Sequence, residues 1–431
     1  MTTHPIGRRV AIIAGLRTPF CRAGTDLAKL TAQQLATALV SELVARSEID
    51  PRTIDSIVFG NVVPTIAAPN VAREIVLAGN LPRTIHGATV MRACASGTEA
   101  AASAGNAIAL GQIDVAIVGG VECLSDVPIL FSRRFAGTLV AASKARSLAD
   151  KVKLFAGLKP KDLLPVPPAL TEPSTGKTMG QHAEAMARQN AISRLAQDQF
   201  ALRSHRLAAA AVADGRLSAE IAPVFLPESG AAVTHDNGIR SDTTIEALQK
   251  LKPVFDRTYG TVTAGNACPV TDGASALLLM ADERARALGL RPLGYLGPHA
   301  FAAVDPQWQL LIGPVFAIAR LLDRSGLALR DFDLIDLHEA FAAQVLSCLK
   351  AIESRTFAEQ YLGRSAALGR VDLDRFNVCG GSIAIGHPFA ATAGRQLITV
   401  LHELRRRGQQ RGLVAQCAAG GMGAAIVVEA A

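Results

Sequence analysis

Four residues of this chain combine a reactive side chain with a setting that suits catalysis. Cys94 lies in Arg92-Ala93-Cys94-Ala95-Ser96-Gly97-Thr98, where small neighbours lead into a candidate helix. Free N–H groups and the partial positive charge at a helix start lower a thiol's pKa, so a nucleophilic thiolate is expected. Read alone, the stretch fits a buried helix-start cysteine equally well. His387 lies in Gly380-Gly381-Ser382-Ile383-Ala384-Ile385-Gly386-His387-Pro388, with the proline fixing the turn. An imidazole held in such a turn is a candidate base for a nearby thiol, or simply a helix cap, and the density of glycine favours the first. Cys417 opens Gln416-Cys417-Ala418-Ala419-Gly420-Gly421-Met422-Gly423, a strand end entering a glycine-rich turn. Backbone N–H groups exposed in such a turn suit an oxyanion, though an ordinary hairpin turn has the same composition. His338, in His338-Glu339-Ala340-Phe341, closes an apolar strand and is either a fourth site residue or a cap.

Positioning these residues requires alternating strands and helices. Strand-like runs at 10–14, 54–59 and 115–121 alternate with helical patterns at 31–47 and 96–110, the first carrying Leu35, Leu39 and Leu43 at four-residue spacing. The order recurs late: helix 310–324, strand 332–337, helix 390–407, and strands 413–416 and 424–429. This is a duplicated α/β pattern whose site draws on loops of both halves. Between them, 126–175 is basic and broken by Pro165, Pro167, Pro168 and Pro173, which mark loop. Residues 178–214 read as strongly helical up to Gly215. The reading divides the chain into an N-terminal domain (1–123 and 254–285), an inserted loop domain (124–253) and a C-terminal domain (286–431).

The chain has 431 residues, too many for one compact core, and an aromatic content of only 4%, so small residues must make its packing contacts. The apolar runs are too short for a membrane span, and the first ten residues lack the apolar core of a secretory signal, so a cytoplasmic location is expected. Seven cysteines at wide spacing include no C-x-x-C pair; neither a zinc site nor a disulfide framework is indicated, and five of them read as small buried hydrophobes. The net charge of +7 is concentrated at 131–161, where eight basic residues face Asp150 alone. With the remainder near neutral, nucleic-acid binding is not expected.

Taken together, the four motifs resemble the thiolase family, and the resemblance spans nearly the whole chain. Matching stretches include Met179-Gly180-Gln181-His182-Ala183-Glu184, Gly260-Thr261-Val262-Thr263-Ala264-Gly265-Asn266 and Thr271-Asp272-Gly273-Ala274. The resemblance implies duplicated βαβαβαββ domains in a layered αβαβα arrangement with an inserted loop domain. It implies Cys94 as the acylated nucleophile, His387 as its base, Cys417 as a second acid/base and His338 as a holder of water. It also implies substrate contacts at Met179, Ala264, Gly265, Asn266, Cys268 and Ala419. The His form at 338, Ser125-Asp126-Val127-Pro128, Asp236-Asn237-Gly238-Ile239-Arg240 and the Gly381-Ser382 pair look like the fatty-acid β-oxidation branch, including the thiolase subunit of trifunctional complexes. Two departures stand out: Cys268 where serine is common, and Ala419 where glycine is frequent. The resemblance implies a 3-ketoacyl-CoA thiolase that uses CoA as a substrate and needs no cofactor or metal. It implies a homodimer or homotetramer, with a possible enoyl-CoA hydratase/3-hydroxyacyl-CoA dehydrogenase partner. Segment 131–161, where Leu148, Val152 and Phe155 are spaced for one helical face with Lys144, Arg146, Lys151 and Lys153 around it, is the candidate contact for that partner or for a membrane surface, the alternatives being a solvated loop or a contact to CoA phosphates. The alternatives are a biosynthetic acetoacetyl-CoA thiolase, a 3-oxoacyl synthase, which would lack the Cys417 turn, or a non-catalytic thiolase-like scaffold subunit.

Overall fold

A computed structural model describes residues 7–166 and 171–431. The start of the N-terminal segment and Pro167 and Pro168, read above from sequence, lie outside the described residues. Two compact units result: residues 7–126 with 172–431, and the small unit Val127–Thr171.

In the first half of the large unit, β1 (Val10–Arg17) precedes α1 (Ala32–Ser47), β2 (Ser56–Gly60), α2 (Val71–Ala78), β3 (His86–Val90), α3 (Ser96–Ala109) and β4 (Val115–Glu122). Thr31 caps α1 through a reciprocal box with Gln34, which fixes where the Leu35, Leu39, Leu43 stripe begins. The small unit holds α4 (Arg133–Lys144) and α5 (Leu148–Ala156), each capped by a serine, Ser132 and Ser147. These helices replace the irregular loop expected at 126–175. The second carries the helical spacing of Leu148, Val152 and Phe155 read from the sequence, the first is the departure, and the caps satisfy their first N–H groups.

The long helix expected over 178–214 is two helices, α6 (Met179–Gln189) and α7 (Arg194–Ala213). Asn190 ends the first, Ala191 takes the left-handed conformation at φ +50°, and the Ser193 side chain accepts from Ala196 N–H to start the second. The chain then forms β5 (Thr271–Ala281), β6 (Gly294–Ala303), α8 (Gly313–Ser325), β7 (Leu334–Leu337), α9 (Ala342–Ile352), α10 (Thr392–Arg407), β8 (Arg411–Ala418) and β9 (Met422–Ala430).

The strands pair in the order β7-β8-β9-β6-β1-β5-β4-β2-β3, with the short strand Cys21–Arg22 added on β5. The two halves meet where β1 runs antiparallel to β6, Val10 opposite Leu296. Outward from that seam both halves repeat one pattern: antiparallel pairs, then a parallel pair, β4 with β2 and β8 with β7. This is the duplication read from the sequence.

Helices α3 and α10 form the inner layer. Ala100, Ala101, Ala104 and Ile108 of α3 share one core with Leu397, Ile398, Leu401 and Leu404 of α10 and with strands of both halves. On the outer faces, α1 and α2 close the first half, and α8 and α9 close the second. Glycine permits the close central approach: a Cβ on Gly120 of β4 would lie 2.1 Å from the carbonyl oxygen of Ala390, just before α10. The layered, duplicated α/β fold is the one expected.

Candidate active site

Cys94 sits in the turn between β3 and α3. Ala93 takes φ +45° there, a conformation L-residues seldom adopt. Ser96 locks the turn, its Oγ donating to Ala93 O at 2.6 Å and accepting from Arg92 N–H at 2.8 Å. Gly97 brings α3 against the segment after His387, since a Cβ there would lie 2.6 Å from Ala390 O. The sulfur is thereby presented at the end of the inner helix layer, and Cys94 stays partly exposed.

His387 follows Gly386, whose φ of +115° favours glycine, and its ring lies between Cys94 and α10. Nε2 is 3.1 Å from Cys94 Sγ, and Nδ1 is 2.6 Å from Thr392 Oγ1 at the start of α10. If Nδ1 carries the proton toward Thr392, Nε2 is free to accept the thiol's proton. The His338 ring is tilted against His387, with centroids 4.0 Å apart. His338 Nδ1 is 2.9 Å from Ser382 Oγ, while its Nε2 is buried and has no partner among the described residues. Such an atom calls for a water or a ligand oxygen.

Cys417 ends β8 and faces Gly423 across the turn into β9, with Gly420 and Gly421 at φ +79° and +70°. The turn is held from outside by Glu172, which accepts from Gly420 N–H at 2.8 Å. Its neighbour Ala419 aims a backbone N–H at the Cys94 sulfur, as does Cys94's own N–H. The alanine thus supplies the same donor a glycine would.

Burial governs the protonation states. It pushes the Cys94 thiol up to about 12, the two N–H groups pulling the other way. This reverses the sequence expectation of a lowered thiol: desolvation of the anion outweighs the helix start. Burial, with a smaller contribution from Arg395, brings His387 down to about 3. His338 lies well below its ordinary value, from burial first and then from His387 and Arg395. Burial, then Cys94, Cys348 and Cys268, raises Cys417 well above the usual thiol range. At neutral pH the resting pair is a neutral thiol beside a neutral imidazole, and proton transfer must accompany attack.

The structure thus gathers Cys94, His387, His338 and Cys417, with Ala419. Cys268 is partly exposed, unlike the buried hydrophobe expected, and its N–H donates to Ala340 O at 3.0 Å beside the His338 segment. Ala264 is exposed and Gly265 half-buried. Asn266 is buried and its side chain is spent on the turn: Oδ1 accepts from Thr263 N–H, and Nδ2 donates to Asp198 and Thr261. Met179 is half-buried against the second-half core. A surface cavity of about 720 Å³ lies elsewhere, lined by Lys350, Arg370 and Arg375 among others.

Several supports were not anticipated. Glu339, fully buried, accepts from Ser204 Oγ (2.6 Å), Asn377 Nδ2 (2.7 Å) and Ile383 N–H (3.3 Å), pinning the loop that carries Ser382. A buried polar chain runs from Thr98 of α3 through Gln416 and Gln396 to Asp336, linking the helix that follows Cys94 to the strand of Cys417.

A duplicated α/β fold that sets a thiol against an imidazole and two N–H donors is that of a cysteine-dependent acyltransferase. The sequence matches the thiolase N-terminal domain over residues 10–283 and the thiolase C-terminal domain over 290–430. It is 50% identical over 423 residues, 98% of this chain and 97% of the other, to a 3-ketoacyl-CoA thiolase of Aeromonas salmonicida. It is 49% identical over 429 residues to one of Serratia proteamaculans, covering 100% of this chain and 98% of that one. Among solved structures it resembles a Bacillus anthracis acetyl-CoA acetyltransferase (TM-score 0.84, 33% identity, 99% of this chain and 100% of that chain). It also resembles human mitochondrial 3-ketoacyl-CoA thiolase in complex with CoA (TM-score 0.83, 30% identity, 98% of both chains). The chain belongs to the thiolase family.

Proposed function

We propose that this enzyme is a 3-ketoacyl-CoA thiolase of fatty-acid β-oxidation, cleaving 3-oxoacyl-CoA with CoA through an acyl-Cys94 intermediate. The observation that carries the reading is the 3.1 Å contact between His387 Nε2 and Cys94 Sγ, with the Ala419 N–H aimed at the same sulfur. His387 takes the thiol proton as sulfur adds to the 3-oxo carbon. The C2–C3 bond then breaks, leaving its electron pair on the acetyl-CoA enolate. That enolate's oxygen lies toward His387 and a water on the unpartnered Nε2 of His338. Cys417 gives its proton to C2, releasing acetyl-CoA, and its thiolate then deprotonates incoming CoA. The CoA sulfur attacks the acyl-Cys94 thioester, whose oxyanion sits at the N–H groups of Cys94 and Ala419. Cys94 leaves and recovers its proton from His387. No atom requires an outside electron donor or acceptor, so CoA is a substrate and the steps balance without a cofactor.

The test is thiolysis of 3-oxoacyl-CoA of increasing chain length, with intact-mass detection of an acyl group on the protein. Acyl mass mapped to Cys94 and lost in Cys94→Ala supports the reading. Acyl mass on Cys417 or Cys268 instead refutes it. A biosynthetic acetoacetyl-CoA thiolase, suggested by the acetyl-CoA acetyltransferase neighbour, would show activity confined to the four-carbon substrate.

The partner reading belongs to the small unit. Leu148, Val152 and Phe155 are exposed on α5, with Lys144, Arg146, Lys151 and Lys153 around them. This is the composition of a helix that docks on an acidic or interfacial surface. Among the described residues no helix is long and apolar enough to cross a membrane. Reversing those four charges to Glu is expected to leave acetoacetyl-CoA thiolysis intact. It should weaken, in a salt-sensitive way, co-purification with a hydratase–dehydrogenase or binding to anionic vesicles. Absence of both interactions in the wild type refutes docking.

A further inference from the structure

The same cluster also groups three donor atoms closely enough to share one cation. Cys94 Sγ and one ring nitrogen each of His338 and His387 all lie within 4.8 Å of one another. One soft sulfur and two imidazoles are a donor set selective for zinc-class cations over magnesium or calcium. Each histidine has the outer contact that metal-bound imidazoles require: His387 Nδ1 rests on Thr392 Oγ1 at 2.6 Å, and His338 Nδ1 on Ser382 Oγ at 2.9 Å. With both Nδ1 protons directed at those hydroxyls, both Nε2 atoms keep a lone pair, and that of His387 already lies 3.1 Å from the Cys94 sulfur. His338 Nε2 is fully buried and, among the described residues, has no protein partner, so a cation there would take the place of the water assigned to it in acyl transfer. The nearest fixed positive charge, Arg395, is paired with Asp336 at 3.3 Å. Partly exposed Cys94 gives a path inward and leaves a fourth position for water.

We propose that Cys94, His387 and His338 form a capture site for a thiophilic divalent cation of the zinc class, which blocks the enzyme reversibly by ligating its nucleophile. The thiol proton leaves to solvent as the metal–sulfur bond forms, and no electron changes hands. Bound metal occupies the space between the thiol and the two imidazoles where a substrate carbonyl would enter. Submicromolar binding would make free zinc a regulator of the enzyme, and chelation would restore it.

The test begins with Co²⁺, an optical stand-in for zinc, titrated into chelator-treated protein with a phosphine reductant. The expected result is one equivalent bound, with visible bands of four-coordinate cobalt and a sulfur-to-cobalt charge-transfer band, all removed by one equivalent of Zn²⁺. Cys94→Ser should abolish the charge-transfer band. His338→Ala should weaken cobalt binding at least tenfold, and Cys268→Ser should leave the band in place. Circular dichroism verifies that each variant is folded; if Cys94→Ser is not, His338→Ala and Cys268→Ser still decide. A missing charge-transfer band in the wild type, its survival in folded Cys94→Ser, its loss in Cys268→Ser, or unchanged affinity in His338→Ala overturns the proposal. These readouts need no turnover, so they stand or fall separately from the thiolysis assay.

Discussion

Replacing Thr392 by valine isolates the role of one hydroxyl. Valine keeps the volume and branching of threonine but deletes the oxygen lying 2.6 Å from His387 Nδ1, in a place where both side chains are buried. A neutral imidazole carries its proton on one nitrogen or the other, and only the Nδ1–H form offers Nε2 to the Cys94 thiol. That form is the one in which Nδ1–H donates to Thr392 Oγ1. A buried donor left without a partner costs about 1–3 kcal/mol. Much of that cost is escaped by moving the proton to Nε2, the form that cannot act as base. The productive fraction, and with it kcat, should fall by roughly 5- to 150-fold, since each 1.36 kcal/mol is tenfold. KM should change little. Thr392→Ser, which restores the oxygen, should recover most of the loss. The assay is steady-state thiolysis of acetoacetyl-CoA, run alongside iodoacetamide labelling of Cys94 and a thermal melt. If Thr392→Val keeps kcat within about twofold, the tautomer argument is wrong. If Thr392→Ser is as impaired as valine, packing rather than the hydrogen bond is responsible.

Ser382→Ala should lower kcat by removing, among the described residues, the one hydrogen-bond partner of the His338 ring nitrogens. In a His338→Asn background, where no ring needs orienting, the same substitution should have a much smaller effect, and additive losses in this double-mutant cycle would refute the coupling. Gly120→Ala places a Cβ 2.1 Å from Ala390 O, a backbone atom with no room to retreat. A loss of about 2–4 kcal/mol is expected in urea unfolding, with activity falling because Ala390 follows His387 closely, and near-wild-type stability would contradict the close-packing argument. His205 is buried, accepts from Arg240 N–H at 3.2 Å, and is brought down to about 4 by burial and then by Arg240 and Arg22. Its folded-state value lies below the ordinary 6.5, so the unfolded chain binds the extra proton first, and stability is lost as pH falls from about 6.5 toward 4. His205→Gln, which keeps an acceptor without titrating, should reduce that acid loss by up to about 3 kcal/mol, and an unchanged pH profile of the urea midpoint would exclude the contribution.

The sequence revealed the candidate reacting groups, which the fold gathers, more readily than their supports. Cys94, His387 and Cys417 announce themselves because each sits in a run of small residues and glycine. Those runs exist because α3, β4 and the 387–391 segment approach backbone to backbone. Thr392, Ser204 and Asn377 are single polar residues with no local signature. Ser204 lies 135 positions from the Glu339 it serves, and only the fold brings them together. The direction of the Cys94 shift was misread for a related reason: a helix start is visible locally, whereas burial is imposed by the second half of the chain. The break at 190–193 was missed because the apolar spacing continues through it, while the stop depends on Ala191 entering a conformation alanine does not advertise. In 127–171 the spacing of Leu148, Val152 and Phe155 shows the second helix, whereas the first, Arg133–Lys144, is marked in sequence by little more than its Ser132 cap.

The seam between β1 and β6 divides authorship of the site. Cys94 comes from the first half; His338, His387, Cys417 and Ala419 come from the second. The Cys94–His387 pair spans the two repeats, so a chain with one half folded lacks it. Reactivity at Cys94 therefore registers whether two folding units have met in the correct register. During refolding it should appear after secondary structure has formed, and during heating it should vanish before that structure melts. The ancestral single repeat, lacking a second copy in the same chain, could have built this site only by pairing with another molecule of itself.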